Sequence, residues 1–256
     1  MATRTRTDQD QATRLAELLR EARSALVLTG AGVSVPSGIP DFRSPGTGIW
    51  EKVNPMEVAH IDAFRREPDR FWQFYGDRFA SLVDKQPNAA HEAIAELERR
   101  GLIRGVVTQN VDRLHRRAGS TNVIEVHGSI EWSVCPECGG RTSIEQVLEV
   151  LAAHPGAPEC PACIAPLKPD VVLFGEMLPE VALSDAYALA AEADLIVCVG
   201  SSLEVFPVAS LPGVTRDGGG RIALITQGPT PYDGDAEVKL TGDVVDELGA
   251  VMAALG

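Results

Sequence analysis

Short apolar runs punctuate the chain, and between several of them the apolar positions recur with a helical period. The runs are Ser24–Gly30, Ile103–Gln109, Val123–His127, Asp170–Gly175, Asp194–Gly200 and Arg221–Thr226. Within them Val, Ile and Leu follow one another with little alternation. Strands covered on both faces, as in a parallel sheet, have that pattern, whereas strands with one wet face alternate. Gln11–Ala22, Ala89–Arg100 and Leu178–Ala191 read as helices, the last with Pro179 where a first turn tolerates it. Strand–helix alternation predicts an open, doubly wound α/β sheet, mainly parallel. Two stretches break the rhythm. Residues 45–103 are helical without a strand and hold the aromatic stretch Phe71-Trp72-Gln73-Phe74-Tyr75; residues 132–167 hold paired cysteines around a helical segment, Thr142–His154. Both read as modules inserted into a sheet domain made of 1–44, 104–131 and 168–256.

Composition narrows this picture. The chain has 256 residues, 45% hydrophobic and 23% charged, which suits one globular domain with a smaller attachment. No run approaches the ~18 apolar residues that span a bilayer. The polar start MATRTRTDQDQATR lacks the apolar core of a secretory signal. A cytoplasmic protein with no membrane association is expected. The net charge of −13 disfavours direct binding of nucleic acid or anionic lipid. Two readings of the acidity stand: solubility alone, or a preference for basic protein tails.

Cys135 and Cys138 form one C-x-x-C pair, Cys160 and Cys163 a second, with 21 residues between them; Cys198 stands alone in an apolar run. Without an export signal such pairs suggest metal rather than disulfides. Four thiolates in two knuckles make a tetrahedral zinc site with every position filled by sulfur, hence structural, one zinc per chain. A redox dithiol is the alternative. Cys198 reads as a small buried hydrophobe.

The first run ends in Gly30-Ala31-Gly32, a turn of the kind that brings phosphates to a helix N-terminus. The hydride-transfer fingerprint fails here, because its third glycine would fall at Val35. Any dinucleotide is therefore held differently. Longer motifs are more specific than this turn: Gly30 through Arg43 (GAGVSVPSGIPDFR), Thr108-Gln109-Asn110-Val111-Asp112-Arg113-Leu114-His115, Glu125-Val126-His127-Gly128, Lys168-Pro169-Asp170, Phe174-Gly175-Glu176 and Gly200-Ser201-Ser202-Leu203. From about Leu26 to Val245 the chain resembles the sirtuin family of NAD-dependent protein deacylases, nearest to its bacterial, undifferentiated branch.

The resemblance implies a Rossmann-like sheet domain carrying a zinc-ribbon and helical module, with a cofactor loop in 45–103. It implies NAD as a consumed co-substrate and acylated lysine in protein or peptide as the partner. Gly30, Ala31, Gly32, Val35 and Asp41 fall on the loop around pyrophosphate and ribose, with Phe42 and Arg43 over the ribose and departing nicotinamide. Gln109 falls on the ribose, Asn110 at the reacting carbon, and Val111 and Asp112 at the nicotinamide amide; helix capping is the plain alternative for Asn110 and Asp112. Gly200, Ser201, Ser202 and Val244 fall on the adenosine half. Thr226 departs from the family, which often carries asparagine there; one hydroxyl replaces only part of an amide's hydrogen bonding. His127 falls on the general base, and an ordinary pKa of about 6.5 suits that task. Taken alone, a strand-end histidine before glycine reads as structural. His115 reads as structural, and His60, His91 and His154 carry no assignment.

FGE and SSLEVFP resemble the two edges that take the substrate peptide as an added strand. Val172, Phe174, Gly175 and Val205 would line the acyl-lysine tunnel, with ordinary strand packing the alternative for Val172 and Phe174. Tyr75 and Arg78 are three apart on a predicted helix and so share a face. Sirtuins that remove succinyl and malonyl groups carry such a Tyr-x-x-Arg pair, and an arginine fork suits a carboxylate. Alternatively Tyr75 belongs to an aromatic core and Arg78 to the solvated face. The implied chemistry passes the acyl group from lysine to ADP-ribose with release of nicotinamide, by a protein expected to be monomeric. Two rival readings remain: a protein mono-ADP-ribosyltransferase, and a non-catalytic NAD-sensing module.

Overall fold

A computed structural model describes residues 6–41, 54–154 and 156–256. Six strands make the main sheet: β1 (Ala25–Thr29), β2 (Gly105–Thr108), β3 (Val123–Glu125), β7 (Leu195–Val199), β8 (Arg221–Ile225) and β9 (Ala236–Leu240), in the order β3-β2-β1-β7-β8-β9. Every pairing in it is parallel. The chain winds outward from β1 to β3, then returns to place β7 on the other side of β1. Strand order thus reverses between β1 and β7, the point where open α/β sheets form their ligand crevice.

Apolar runs lack alternation because the sheet has a core on each face. On β7, Leu195, Val197 and Val199 join one core, while Ile196 and Cys198 join the other. The first core is roofed by α1 (Arg6–Glu21), α5 (Ala89–Arg99) and α10 (Val244–Leu255), through Leu15, Leu19, Ile94, Leu97, Leu248 and Val251. The second lies under α8 (Glu180–Glu192) and α9 (Leu211–Asp217). Burying each such Leu, Ile or Val stabilises by roughly 1.5–3 kcal/mol. Among the described residues no helix is long and apolar enough to cross a membrane.

Most of the remaining elements form one smaller unit. They are α2 (Pro55–Val58), α3 (Ile61–Arg66), α4 (Pro68–Asp84), α7 (Ile144–Ala153) and an antiparallel sheet ordered β5-β4-β6, from β4 (Gly128–Val134), β5 (Arg141–Ser143) and β6 (Lys168–Val171). The helical and cysteine insertions share a core in which Phe64, Phe71, Trp72 and Phe79 meet Ile130, Ile144, Val147 and Leu167. Trp72 Nε1 donates to the Leu167 carbonyl at 2.8 Å, so the one polar atom of this buried ring is satisfied. The short helix α6 (Leu114–Arg117) follows β2.

One expected strand is corrected. Asp170–Gly175 reads as a run of the parallel sheet, but β6 ends at Val171 and belongs to the small sheet. Beyond it, Val172 N–H donates to the His127 carbonyl, and Phe174 exchanges backbone bonds with Ala59 and Ile61. The apolar run is buried against the small unit instead. Packing also draws boundaries unlike those read from the insertions: α5 lies in the main core, whereas β4 and β6 pair with each other in the small sheet.

Candidate active site at the carboxyl edge of the parallel sheet

The carboxyl ends of β1, β2, β3, β7 and β8 bring together Gly30, Gln109, Val126, Gly200 and Thr226, residues from five distant segments. Three glycines let β1 and β7 meet at the crevice. A Cβ on Gly30 would lie 2.8 Å from Ser201 Cβ, one on Gly32 2.8 Å from Gly200 Cα, and one on Gly200, whose φ is +61°, 2.3 Å from the Val33 nitrogen. Gly32 N–H donates to the Gly200 carbonyl at 2.8 Å. Ala31–Ser37 form a 3-10 turn directly after Gly30. Across the crevice, Gln109 Nε2 donates to Ser201 Oγ at 2.9 Å, and Ser201 Oγ also accepts from Leu203 N–H. Thr226 is buried at the end of β8, and Val244 opens α10, capped by Asp243. Asp41 ends the described segment; Phe42 and Arg43 lie outside the described residues.

Beneath the glycine turn lies a polar network centred on Ser34, a residue given no role of its own by sequence reasoning. Asn110 Nδ2 donates to the Gly30 carbonyl and to Ser34 Oγ, each at 3.1 Å. Ser34 in turn donates to Asp112 Oδ2 at 2.7 Å. The other Asp112 oxygen accepts from Leu114 N–H at 2.9 Å, which caps α6. Asp112 thus meets the expectation of a capping residue with one oxygen and ties the glycine turn through Ser34 with the other. His91 Nδ1 accepts from Asn88 N–H, which leaves its proton on Nε2, 3.4 Å from Ser34 Oγ. Burial pushes the His91 pKa down, against the pull of Asp112. Asn88 caps α5 and donates to Val33 O and Ser37 Oγ, tying that helix to the turn. A second thread runs from His115 Nε2 to Thr29 Oγ1 (2.9 Å), then Thr108 Oγ1 (2.8 Å), which accepts from Asn110 N–H (3.1 Å).

His127 follows β3 and is half-buried. Its Nδ1 lies 2.9 Å from the Gln109 carbonyl. A carbonyl only accepts, so the ring proton sits on Nδ1 and the Nε2 lone pair is left as a base. Burial lowers the His127 pKa, and the Gln109 carbonyl partly offsets this, so the ring is neutral at physiological pH. Val111 packs at the edge of the small unit's core, and its carbonyl accepts from Ile130 N–H.

The sequence profile of the Sir2 family matches residues 30–207, more than half of the chain. The chain belongs to the Sir2 family. It is 43% identical over 236 residues to the NAD-dependent protein deacetylase of Thermotoga maritima, covering 92% of this chain and 95% of that one. It is 41% identical to the NAD-dependent protein deacylase of Pyrococcus furiosus, covering 91% and 94%. Among solved structures, a Sir2 protein with deacetylated p53 peptide and 3'-O-acetyl ADP ribose superposes with a TM-score of 0.90 at 42% identity, over 94% of this chain and 96% of that one. Another, bound to a propionylated peptide, gives 0.87 at 40% identity, over 95% and 98%.

In this sirtuin the sulfurs of Cys135, Cys138, Cys160 and Cys163 all lie within 4.8 Å of one another. Two of the separations, 3.4 and 3.6 Å, suit the edges of a tetrahedron with metal–sulfur bonds of about 2.3 Å. The donor set fits one structural zinc, with all four positions filled by sulfur. Cys198 is buried in the second core, and burial pushes its thiol pKa up, as befits an inert hydrophobe.

The Tyr75 ring stacks on Phe79 at 5.4 Å and lies 4.6 Å from Phe71, and burial raises its pKa to about 12. The Arg78 guanidinium lies 3.7 Å above the Phe74 ring and donates to the Phe74 carbonyl. Tyr75 thus belongs to the aromatic stripe of α4, and Arg78 folds back onto its own helix. Tyr75 and Val111 both border the small unit's core. Val172, Phe174 and Gly175 form the segment between β6 and Glu176, and Val205 lies in the loop after β7.

Proposed function

We infer that this chain is an NAD-dependent protein-lysine deacylase that converts acyl-lysine, NAD and water into free lysine, nicotinamide and 2'-O-acyl-ADP-ribose. NAD supplies an electrophilic ribose carbon, which the acyl oxygen attacks as nicotinamide departs. The protein's part is to bind, to orient and to move one proton. The Gly30–Gly32 turn, Val35, Asp41, Phe42 and Arg43 hold the pyrophosphate and nicotinamide side. Gln109, Asn110, Val111 and Asp112 hold the ribose and carboxamide, and Gly200, Ser201, Ser202, Thr226 and Val244 the adenosine side. His127 Nε2 takes the proton of a ribose hydroxyl, and that oxygen then receives the acyl group. The edges Phe174–Glu176 and Ser201–Pro207 take the peptide as an added strand, and Val172, Phe174, Gly175 and Val205 line the acyl-lysine tunnel or its mouth, in a cytoplasmic, monomeric protein.

The observation that carries this reading is the bond from His127 Nδ1–H to the Gln109 carbonyl. It anchors a neutral imidazole on the segment assigned to the ribose and leaves the Nε2 lone pair free to accept a proton. Incubation with acetyl-lysine peptide and NAD labelled in its adenosine half tests it. Label is expected on acyl-ADP-ribose; label retained on protein would instead mean ADP-ribosyl transfer.

The acyl range extends to carboxylate-bearing chains in this reading. What supports it is Arg78: its guanidinium rests on Phe74 of its own helix rather than on a carboxylate, one helical turn from Tyr75, which borders the same core as Val111. A kinetic panel of acetyl-, succinyl- and long-acyl-lysine peptides tests this. Arg78→Met is expected to lower kcat/KM for succinyl-lysine about 10–150-fold, the worth of a hydrogen bond to a charged group, and to leave acetyl-lysine unchanged. Equal effects on both would reduce the protein to a plain deacetylase.

A further inference from the structure

Lys168 begins β6, outside the crevice, and is mostly buried, with 14% of its side chain exposed. A buried ammonium is costly unless each of its three N–H groups finds an acceptor. Here each does: the Pro169 carbonyl at 3.0 Å, the Val171 carbonyl at 2.7 Å and Glu176 Oε2 at 3.0 Å. The same Glu176 oxygen accepts from Leu173 N–H at 2.9 Å, and Glu176 N–H donates back to the Leu173 carbonyl at 3.0 Å. One cation therefore closes the segment 171–176 on itself from beneath. Val172 N–H is fixed to the His127 carbonyl at 2.8 Å, and both backbone groups of Phe174 are committed to Ala59 and Ile61. Gly175, with φ at +86°, turns the chain where a Cβ would strike His60. The stretch that takes the peptide is thus pinned at every residue but one, and Lys168 holds its two ends together.

We propose that Lys168 is a positioning residue, which with Glu176 pre-shapes the 172–175 segment for the main chain of an acyl-lysine peptide. The proposal rests on the deacylase reading above. Pre-shaping lowers the ordering cost of adding a strand, so its loss falls on peptide affinity. Among the described residues, the side-chain hydrogen bonds and ion pair of Lys168 and Glu176 go to Pro169, Val171, Leu173 and each other, not to Gly30, Asn110 or Gly200 on the cofactor side.

Steady-state kinetics of the zinc-loaded protein test it, with acetyl-lysine peptide and NAD varied in turn. Lys168→Met is expected to raise KM for the peptide about tenfold or more, with kcat and the NAD KM changed less than about twofold. Lys168→Arg, which keeps the bond to Glu176, is expected to recover most of the loss. A merely structural role would lower Tm and kcat together and show no such division. Where Lys168→Met fails to fold, Glu176→Gln removes the other half of the clip and carries the same expectation. A peptide KM within about twofold of the parent in a folded variant overturns the proposal. A parent without turnover overturns the deacylase reading instead; the clip is then judged by peptide Kd from fluorescence anisotropy, which must weaken in the variant.

Discussion

His115 lies beneath the crevice with 2% of its surface exposed, and its ring centroid is 4.9 Å from that of His91. Burial, with a smaller contribution from His91, lowers its pKa from 6.5 to about 3. The unfolded chain therefore takes up a proton as pH falls through about 6.5, while the folded chain does not until about pH 3. Stability owed to a neutral His115 is accordingly full above about pH 6.5 and is lost progressively in acid. The slope has an upper limit of about 1.4 kcal/mol per pH unit, or about 2 kcal/mol between pH 6.5 and pH 5. His115→Gln keeps an N–H for Thr29 but cannot titrate. Urea unfolding of both proteins, followed by circular dichroism from about pH 8 to about pH 5, isolates this one group, because carboxylate contributions cancel in the difference. The parent is expected to lose stability more steeply below about pH 6.5 than His115→Gln. Parallel curves would mean that His115 is protonated in the folded protein, and its neutral link to Thr29 and Thr108 would be refuted.

Cys135→Ala is expected to reduce zinc, measured by elemental analysis, from one per chain and to melt the small unit, since structural zinc contributes roughly 10–16 kcal/mol in small domains. Gly200→Ala forces a Cβ to 2.3 Å from the Val33 nitrogen, overpacking that costs about 1–3 kcal/mol. It should lower Tm and raise the NAD KM, and an unchanged NAD KM would detach this turn from the cofactor. Ile164 is exposed and carries φ +67° in the second cysteine knuckle, where Gly139 carries +73° in the first. Ile164→Gly is expected to stabilise by about 1 kcal/mol in urea titration, by removing left-handed strain, with zinc content and turnover unchanged.

Five of the six apolar runs became strands of the main sheet, because continuous Val, Ile and Leu report burial on two faces. The sixth, Asp170–Gly175, is equally apolar, and composition alone does not say which core buries it. The edge strand β9 escaped for the opposite reason: Ala236–Leu240 alternates, with Glu237 and Lys239 turned outward. The metal centre was legible because each cysteine knuckle holds its own chemistry, and the segment from Gln109 to Asp112 was legible as a polar turn after a strand. The site was not legible where function needs partners far apart in sequence. Ser34 means little until Asp112, Asn110 and His91 surround it. Lys168 and Glu176 stand in motifs that were noticed for their neighbours, and only the fold shows them bonded to each other.

The central role of His127 is tested most directly by His127→Ala, measured with acetyl-lysine peptide and NAD. The parent should form nicotinamide and acyl-ADP-ribose in equal amounts, with an acid limb displaced below the ordinary histidine range because burial lowers the imidazole's pKa. The variant should fold, bind zinc and NAD, and lose about 10²–10⁴-fold in turnover. A folded variant that keeps more than about a third of the parent's rate, far above the loss general-base removal causes, would contradict the assignment of His127 and the mechanism built on it.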